Sequence, residues 1–380
     1  MRRAYRFLSG GFLAVFLFSG CTHDQPGAPL PELTPQQAKY DQTDLEVIRE
    51  IEQLDRNADG VLAKSAAVVE LPDGSVDGLA AAIAAAGPGG VVRVLSGEHR
   101  ESSTVTITHS VKILGEPGAN LVFDSKPTTV VGRIDPALHI LNASEVMIFR
   151  VKIRAKEDIG GTGILIESSP HAMIGRNTII NYQFSIMLED GDHARIWKNT
   201  ISATPAWLTS FFEVHGVVVI NGNKVRLVEN DVSNAFFGVW ACDREGRFFE
   251  NNLHGNFIGL ILCKVPLNAF PLPGGELAGS DASAIQWRVI GNNASGNFDA
   301  GYLVIDGANN NRLADNDALS NGTYDIELAG DSFRFGFLTP KSFENSVIAG
   351  AFPNLKIKNC GENNTVVGGN LVDNSQDPCF

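Results

Sequence analysis

Asp190, Asn221, Asp243, Lys264 and Asp306 each close a short apolar phrase, so five polar groups recur at one offset. Just after them come Asp192, His193, Arg244 and Glu245, and then a set of arginines at Arg195, Arg226, Arg247, Arg288 and Arg312. Carboxylates beside cations are the parts of acid–base chemistry, and guanidinium groups hold carboxylates by paired hydrogen bonds. Three chemistries fit these residue types. Lys264 or an arginine can take the proton beside a uronate carboxylate, as a polysaccharide lyase requires. Asp243 and Asp306 can act as an acid pair on a glycosidic bond, as in a glycoside hydrolase. Without either, the arginines form a surface ion-pair ladder with Glu229, Glu250 and Asp315, three residues farther on.

The elements that must carry these residues are legible in two repeated phrases. "RLVENDVSN" starts at Arg226 and "RFFENNLHG" at Arg247, with further copies at Arg195, Arg288 and Arg312 and one lacking the arginine at Ala172. Their asparagines are Asn177, Asn199, Asn230, Asn251, Asn292 and Asn316, at intervals of 22, 31, 21, 41 and 24 residues. Before each copy stands a second phrase, such as "GILIES" from Gly163, "GVVVIN" from Gly216 or "GLILCK" from Gly259. Short period-2 strands separated by Asn and Gly at this period indicate a solenoid. Leucine-rich repeats would add Leu at fixed offsets and a helical stretch, and a sandwich would add hairpin turns. The sequence shows neither, so each repeat is a rung of a parallel β-helix, with rungs stacked about 4.8 Å apart. Asn suits a left-handed bend and also hydrogen-bonds from rung to rung, so the column is expected to be structural.

These phrases resemble the repeats of the pectin-lyase-like superfamily, including NosD-like proteins, over about residues 76–370. The resemblance implies an all-β, right-handed, single-stranded parallel β-helix. The active-site phrases of the polygalacturonases ("DD" with "RIK") and alginate epimerases ("DPHD") are absent, and "DGDH" at Asp190 is only superficially similar.

Strand alternation places Ile164/Ile166, Val217/Val219, Val239/Ala241, Leu260/Leu262 and Tyr302/Val304 inside. It turns Leu165/Glu167, Met187/Glu189, Val218/Ile220, Trp240/Cys242, Ile261/Cys263 and Leu303/Ile305 outward. That outer face is unusually apolar for a wet surface. Insertions at Ala203 to Val214 and Pro266 to Ser283 either wall a groove over it or close it. Trp240 and His193 join the arginines as expected substrate contacts.

Around the repeats lie accessory segments. Residues 1–20 read as a Sec-type signal with a basic start, an apolar run and the lipobox-like "LFSGC", which implies lipidation of Cys21 and an anchor in a bilayer. Thr22 at the next position suggests the outer membrane. A linker (21–43) leads to a helical segment (44–75) with the apolar stripe Leu45, Ile48, Ile51 and Leu54. Its Asp55-x-Asn57-x-Asp59-Gly60 resembles the first half of an EF-hand calcium loop, although Ala66 stands where the bidentate Glu belongs. The bland alternative is an Asx-rich turn. The β-helix is expected over 76–380, with "SVDGLAAAIAAAG" (Ser75 to Gly87) as a helix capping the first rung and "GGVVRVLSGEHRESSTVTITHSVKILGE" as the first two rungs.

Four further cysteines would meet an oxidising compartment. Cys360 and Cys379 are placed to staple the last turn, whereas Cys242 and Cys263 are either bonded or stacked. No Cys/His spacing suits zinc. The net charge of -13 over 380 residues argues against a nucleic-acid partner. The expected partner is an acidic polysaccharide. A non-enzymatic scaffold or protein-binding module is the competing class.

Overall fold

The computed structural model describes residues 39–64, 68–126, 134–202, 214–264, 283–334, 337–375 and 379, with 270–271, 273 and 277–278 between. Cys21, the signal and the linker up to residue 38 lie outside the described residues, as do 203–213 and most of 265–282.

Among the described residues, three parallel sheets of twelve, seven and eleven strands make up the body. The chain visits them in rotation: Gly90–Val94 in the first sheet, Gly97–Glu101 in the second, Val105–Ile107 in the third, then Val111–Gly115 back in the first. Each return pairs in parallel with the previous turn, for example Arg195 with Arg226 and Arg226 with Arg247. This is the expected parallel β-helix. Two boundaries differ from expectation. The first sheet already begins at Val68–Leu71, which pairs with Val91 to Val94, so the coil starts before residue 76. The "GGVVRVLS…KILGE" stretch holds four strands, one complete turn and the start of the next, because a rung here has three strands.

Inward residues of all three sheets form one continuous core, including Ile164, Ile166, Val217, Val219, Val239, Ala241, Leu260, Leu262, Tyr302 and Val304. Helix α2 (Leu79–Ala86) closes the first end by adding Leu79, Ala82 and Ile83 to that core. Its first free N–H groups, Gly78 and Leu79, donate to the Glu101 carboxylate at 3.1 and 2.9 Å.

The asparagine column is a hydrogen-bonded ladder inside the coil. Asn230 Nδ2 donates to Asn251 Oδ1 at 2.9 Å, and Asn251 Nδ2 donates to Asn292 Oδ1 at 3.0 Å. The left-handed bend expected of these asparagines lies one residue earlier. Arg176, Lys198, Glu229, Glu250 and Asp315 have φ between 51° and 55°, with Gly291 at 70°. The ladder needs the amide side chain, and the adjacent residue absorbs the bend.

Helix α1 (Gln42–Lys64) lies along the outside of the first sheet. In that sheet's strands the middle residue points inward (Ile196, Leu227, Phe248), while the first and third point outward. The third positions, Trp197, Val228, Phe249 and Ile290, pack with Leu45, Val47 and Ile51 of α1. Gly175, one rung before, leaves room for the Trp197 indole, since a Cβ there would sit 2.2 Å from Cζ2. The first positions are the arginines.

Candidate functional site

The acids of α1 neutralise the arginine row one after another. The Glu50 carboxylate pairs with both Arg195 and Arg226. Asp44 accepts from Arg288 Nε at 2.8 Å and lies 3.6 Å from Arg247 Nε, and Asp41 lies 2.8 Å from Arg288. Asp55 binds Arg176 through two hydrogen bonds, at 2.6 and 2.5 Å, and accepts from Lys198 at 3.1 Å. Geometry explains the match: a helical turn advances about 5.4 Å and a rung about 4.8 Å, so one turn of helix faces one rung.

Two expectations are corrected here. Arg195, Arg226, Arg247 and Arg288 are not a free substrate row, because α1 supplies their counter-charges. Nor do Glu229 and Glu250 neutralise them: Glu250 binds Lys39 at 2.7 Å and Tyr40, and Glu229 lies 3.8 Å from Lys198. Arg312, one rung beyond Arg288, keeps a buried Nε with no hydrogen-bond partner among the described residues.

The expected calcium loop is corrected as well. Asp55, Asn57, Asp59 and Gly60 fall inside α1, not in a loop. Asp55 is committed to Arg176 and Lys198, and Asn57 Oδ1 accepts from Gln53. Burial alone would raise the Asp55 carboxyl, but its hydrogen bonds from Arg176 and Lys198 hold it down at about 2. Among the described residues no group of three or more His, Cys, Asp or Glu could hold a metal ion.

The third sheet carries the other set. Its outward residues Leu165, Met187, Val218, Ile220, Cys242, Ile261, Cys263, Leu303 and Ile305 are all buried. The apolar face is therefore closed over these rungs. Trp240 is half-buried, and its Nε1 donates to Cys263 Sγ at 2.7 Å. Cys242 and Cys263 stack as free thiols 3.7 Å apart, whereas Cys360 and Cys379 are bonded.

At the lip of this face the expected column is present. Glu189 pairs with Ile220, Val219 with Ala241, Ala241 with Leu262 and Leu262 with Val304. The same register stacks Asp190, Asn221, Asp243, Lys264 and Asp306 on successive rungs. Asp190 is exposed and the other four are half-buried. Asp190, Asn221, Asp243 and Asp306 all have positive φ, so each also serves as a bend residue. The Asp306 carboxylate accepts the Lys264 backbone N–H; burial nevertheless pushes it up to about 6. Burial also raises Asp243, against the pull of Arg244, and raises Asp190 with help from Asp192. His193 stacks on His171 at 5.0 Å, and burial together with that neighbour lowers its pKa.

Sequence reasoning placed Glu167 and Glu189 on this face but gave them no role, and it passed over His139. His139 Nε2 lies 2.8 Å from Glu167 Oε2, and Asn221 Nδ2 donates to Glu189 Oε1 at 2.9 Å. Burial pushes Glu189 up to about 7, with the charges of Asp190, Glu167 and Asp243 adding to the effect. The available signal was the Glu shared by "GILIES" and "SIMLED" at one offset.

A family model described as a right handed beta helix region matches residues 99–258. With the strand pairing above, it makes the chain a right-handed parallel β-helix. Solved structures with similarity include the Dettilon tailspike protein, at 14% identity and TM-score 0.48, covering 81% of this chain and 63% of that one. The Azotobacter vinelandii mannuronan C-5 epimerase AlgE6 A-module gives 14% identity and TM-score 0.48, covering 77% and 80%. Pectate lyase Pel9A gives 13% identity and TM-score 0.44, covering 79% and 75%. The chain spans less than two thirds of the tailspike's length. No curated protein sequence matches it.

Proposed function

We propose that the protein is a lipid-anchored, extracytoplasmic β-helix that binds a polysaccharide along the lip of its third sheet. One observation carries this: Asp190, Asn221, Asp243, Lys264 and Asp306 stand in register on consecutive rungs, half-buried or exposed. A row of hydrogen-bonding groups repeating about every 4.8 Å on a rigid backbone suits a repeating polymer better than a compact ligand. Two of the similar structures, the epimerase and the lyase, are named for the polysaccharides mannuronan and pectate.

An acidic chain would meet Lys264, with Arg244 next to Asp243 and Lys224 three residues after Asn221, since α1 occupies the arginine row. The anchor rests on the lipobox at Cys21, whose acylation would hold the chain at a membrane surface, the outer membrane by the Thr22 rule.

The alternative is a non-enzymatic scaffold or protein-binding module. It is favoured by the covered arginine row and the closed apolar face, which leave two flanks without an open groove. A glycan array and affinity electrophoresis on the chain from Thr22 onward decide between them. Retention on acidic or neutral polysaccharides that falls in Asp243→Asn and Lys264→Ala supports the proposed function. No retention on any of them rejects it in favour of the scaffold.

A further inference from the structure

Glu167 and Glu189 are direct register partners in the third sheet, so their backbones lie about 4.8 Å apart. Each follows an outward residue, Leu165 or Met187, by two positions, so both carboxyls leave the same outer face. Their surroundings differ. Glu167 Oε2 lies 2.8 Å from the His139 ring, on the preceding strand. Glu189 receives one hydrogen bond, from Asn221 to Oε1, and its buried Oε2 has no partner among the described residues. The carboxylates of Asp190, Glu167 and Asp243 all act on it. Two adjacent carboxyls do not both ionise readily. Burial pushes Glu189 up to about 7, which suits a proton donor, and Glu167, its register partner on the adjacent strand, is placed as the nucleophile.

Resting on the glycan-binding function above, we propose that Glu189 and Glu167 form a hydrolytic pair that cleaves a glycosidic bond of the bound polysaccharide with retention of configuration. Glu189 gives its Oε2 proton to the glycosidic oxygen as the bond from that oxygen to C1 breaks. A Glu167 carboxylate oxygen attacks C1, forming a glycosyl ester. The ionised Glu189 then takes a proton from water, whose oxygen displaces Glu167 from C1. One water is consumed and both carboxyls return to their starting states. Adjacent rungs set the two backbones about 4.8 Å apart, closer to the carboxyl separation of about 5–5.5 Å in retaining enzymes than to the about 6.5–9.5 Å of inverting ones. Asp243 and Asp306 stand two rungs apart, and Asp306 is tied to the Lys264 N–H, so they fit substrate contact better. Glu189 is 8% exposed and adjoins exposed Asp190 at the lip, so a sugar and the water that follows it must enter from that edge of the closed face.

The test uses the full chain in detergent and the polysaccharides retained in affinity gels, with products followed by mass spectrometry and anomers by proton NMR. Wild type should release oligosaccharides of retained configuration. Glu189→Gln should keep binding and lose cleavage by about 100-fold or more. Glu189→Asp, which keeps the proton donor, should keep part of the activity and serves if the Gln variant does not fold. Glu167→Gly should be inactive until sodium azide restores turnover as a glycosyl azide. Binding without cleavage, an inverted product, or wild-type rates in Glu189→Gln would overturn the catalytic pair and leave the binding function standing. No retention of any polysaccharide by wild type would overturn both.

Discussion

Arg288 and Asp44 lie 244 positions apart in the chain, yet Arg288 Nε donates to Asp44 Oδ1 at 2.8 Å across the outer face of the first sheet. The Asp44 side chain is fully buried, and Arg247 is its second cation. Removing its charge leaves Arg247 without a carboxylate and Arg288 with Asp41 alone in a partly dry groove. Asp44→Asn is expected to lose about 2–4 kcal/mol in chemical denaturation. Glu52→Gln, which breaks an exposed pair with Arg56, should change stability by less than about 0.5 kcal/mol.

Asp55 makes a similar contact farther along α1, and pH exposes it. Its folded pKa of about 2 lies below the usual value of about 3.9, so the folded state binds this proton more weakly. The stability it contributes is complete above the ordinary carboxylate range and is lost as pH falls through about 2. Asp55→Asn should flatten that acid limb of a stability-versus-pH curve. Millimolar calcium should leave the melting temperature of wild type unchanged, because the carboxylate is already held by Arg176 and Lys198.

The asparagine ladder is sensitive to single substitutions. Asn251 Oδ1 accepts from the Asn230 backbone N–H and Nδ2, both at 2.9 Å, and its own Nδ2 donates to Leu227 O and Asn292 Oδ1. Asn251→Ala leaves these buried groups unpaired and should cost about 2–4 kcal/mol in thermal or chemical unfolding. Asn251→Asp should cost at least as much, since it sets an acceptor against the Asn292 oxygen.

The coil itself was legible because each rung repeats one instruction: Asn177 through Asn316 occupy one structural position, and Gly163, Gly216 and Gly259 begin one repeated phrase within the strands of the third sheet. The partners of the arginines were not, because Glu50 lies 145 positions before Arg195 and no local spacing joins them. The same remoteness misled the reading of Asp55, Asn57 and Asp59: a calcium-loop pattern and an acidic helix face use the same residue types, and what decides is whether cations stand opposite. At the lip, the register of Asp243, Lys264 and Asp306 followed from the repeat. The His139–Glu167 contact did not, since His139 lies in a strand without the opening glycine phrase.

Glu189 gives a pH signature of opposite sign to Asp55. Its folded pKa of about 7 is above the ordinary Glu value of about 4.3, so the folded state holds this proton more tightly. That contribution is complete below about 4.3 and is lost as pH rises through about 7. Wild type should therefore lose stability across that window in isothermal denaturation, and Glu189→Gln should lose less.

Hydrogen-exchange mass spectrometry with and without a retained polysaccharide tests most directly where the ligand lies. Slower exchange in the turns around Asp190, Asn221, Asp243, Lys264 and Asp306, with α1 and the arginine strands unchanged, is the predicted result. Slower exchange confined to α1 and the strands at Arg195 to Arg288, or no slowing anywhere while the polymer is bound, would contradict it.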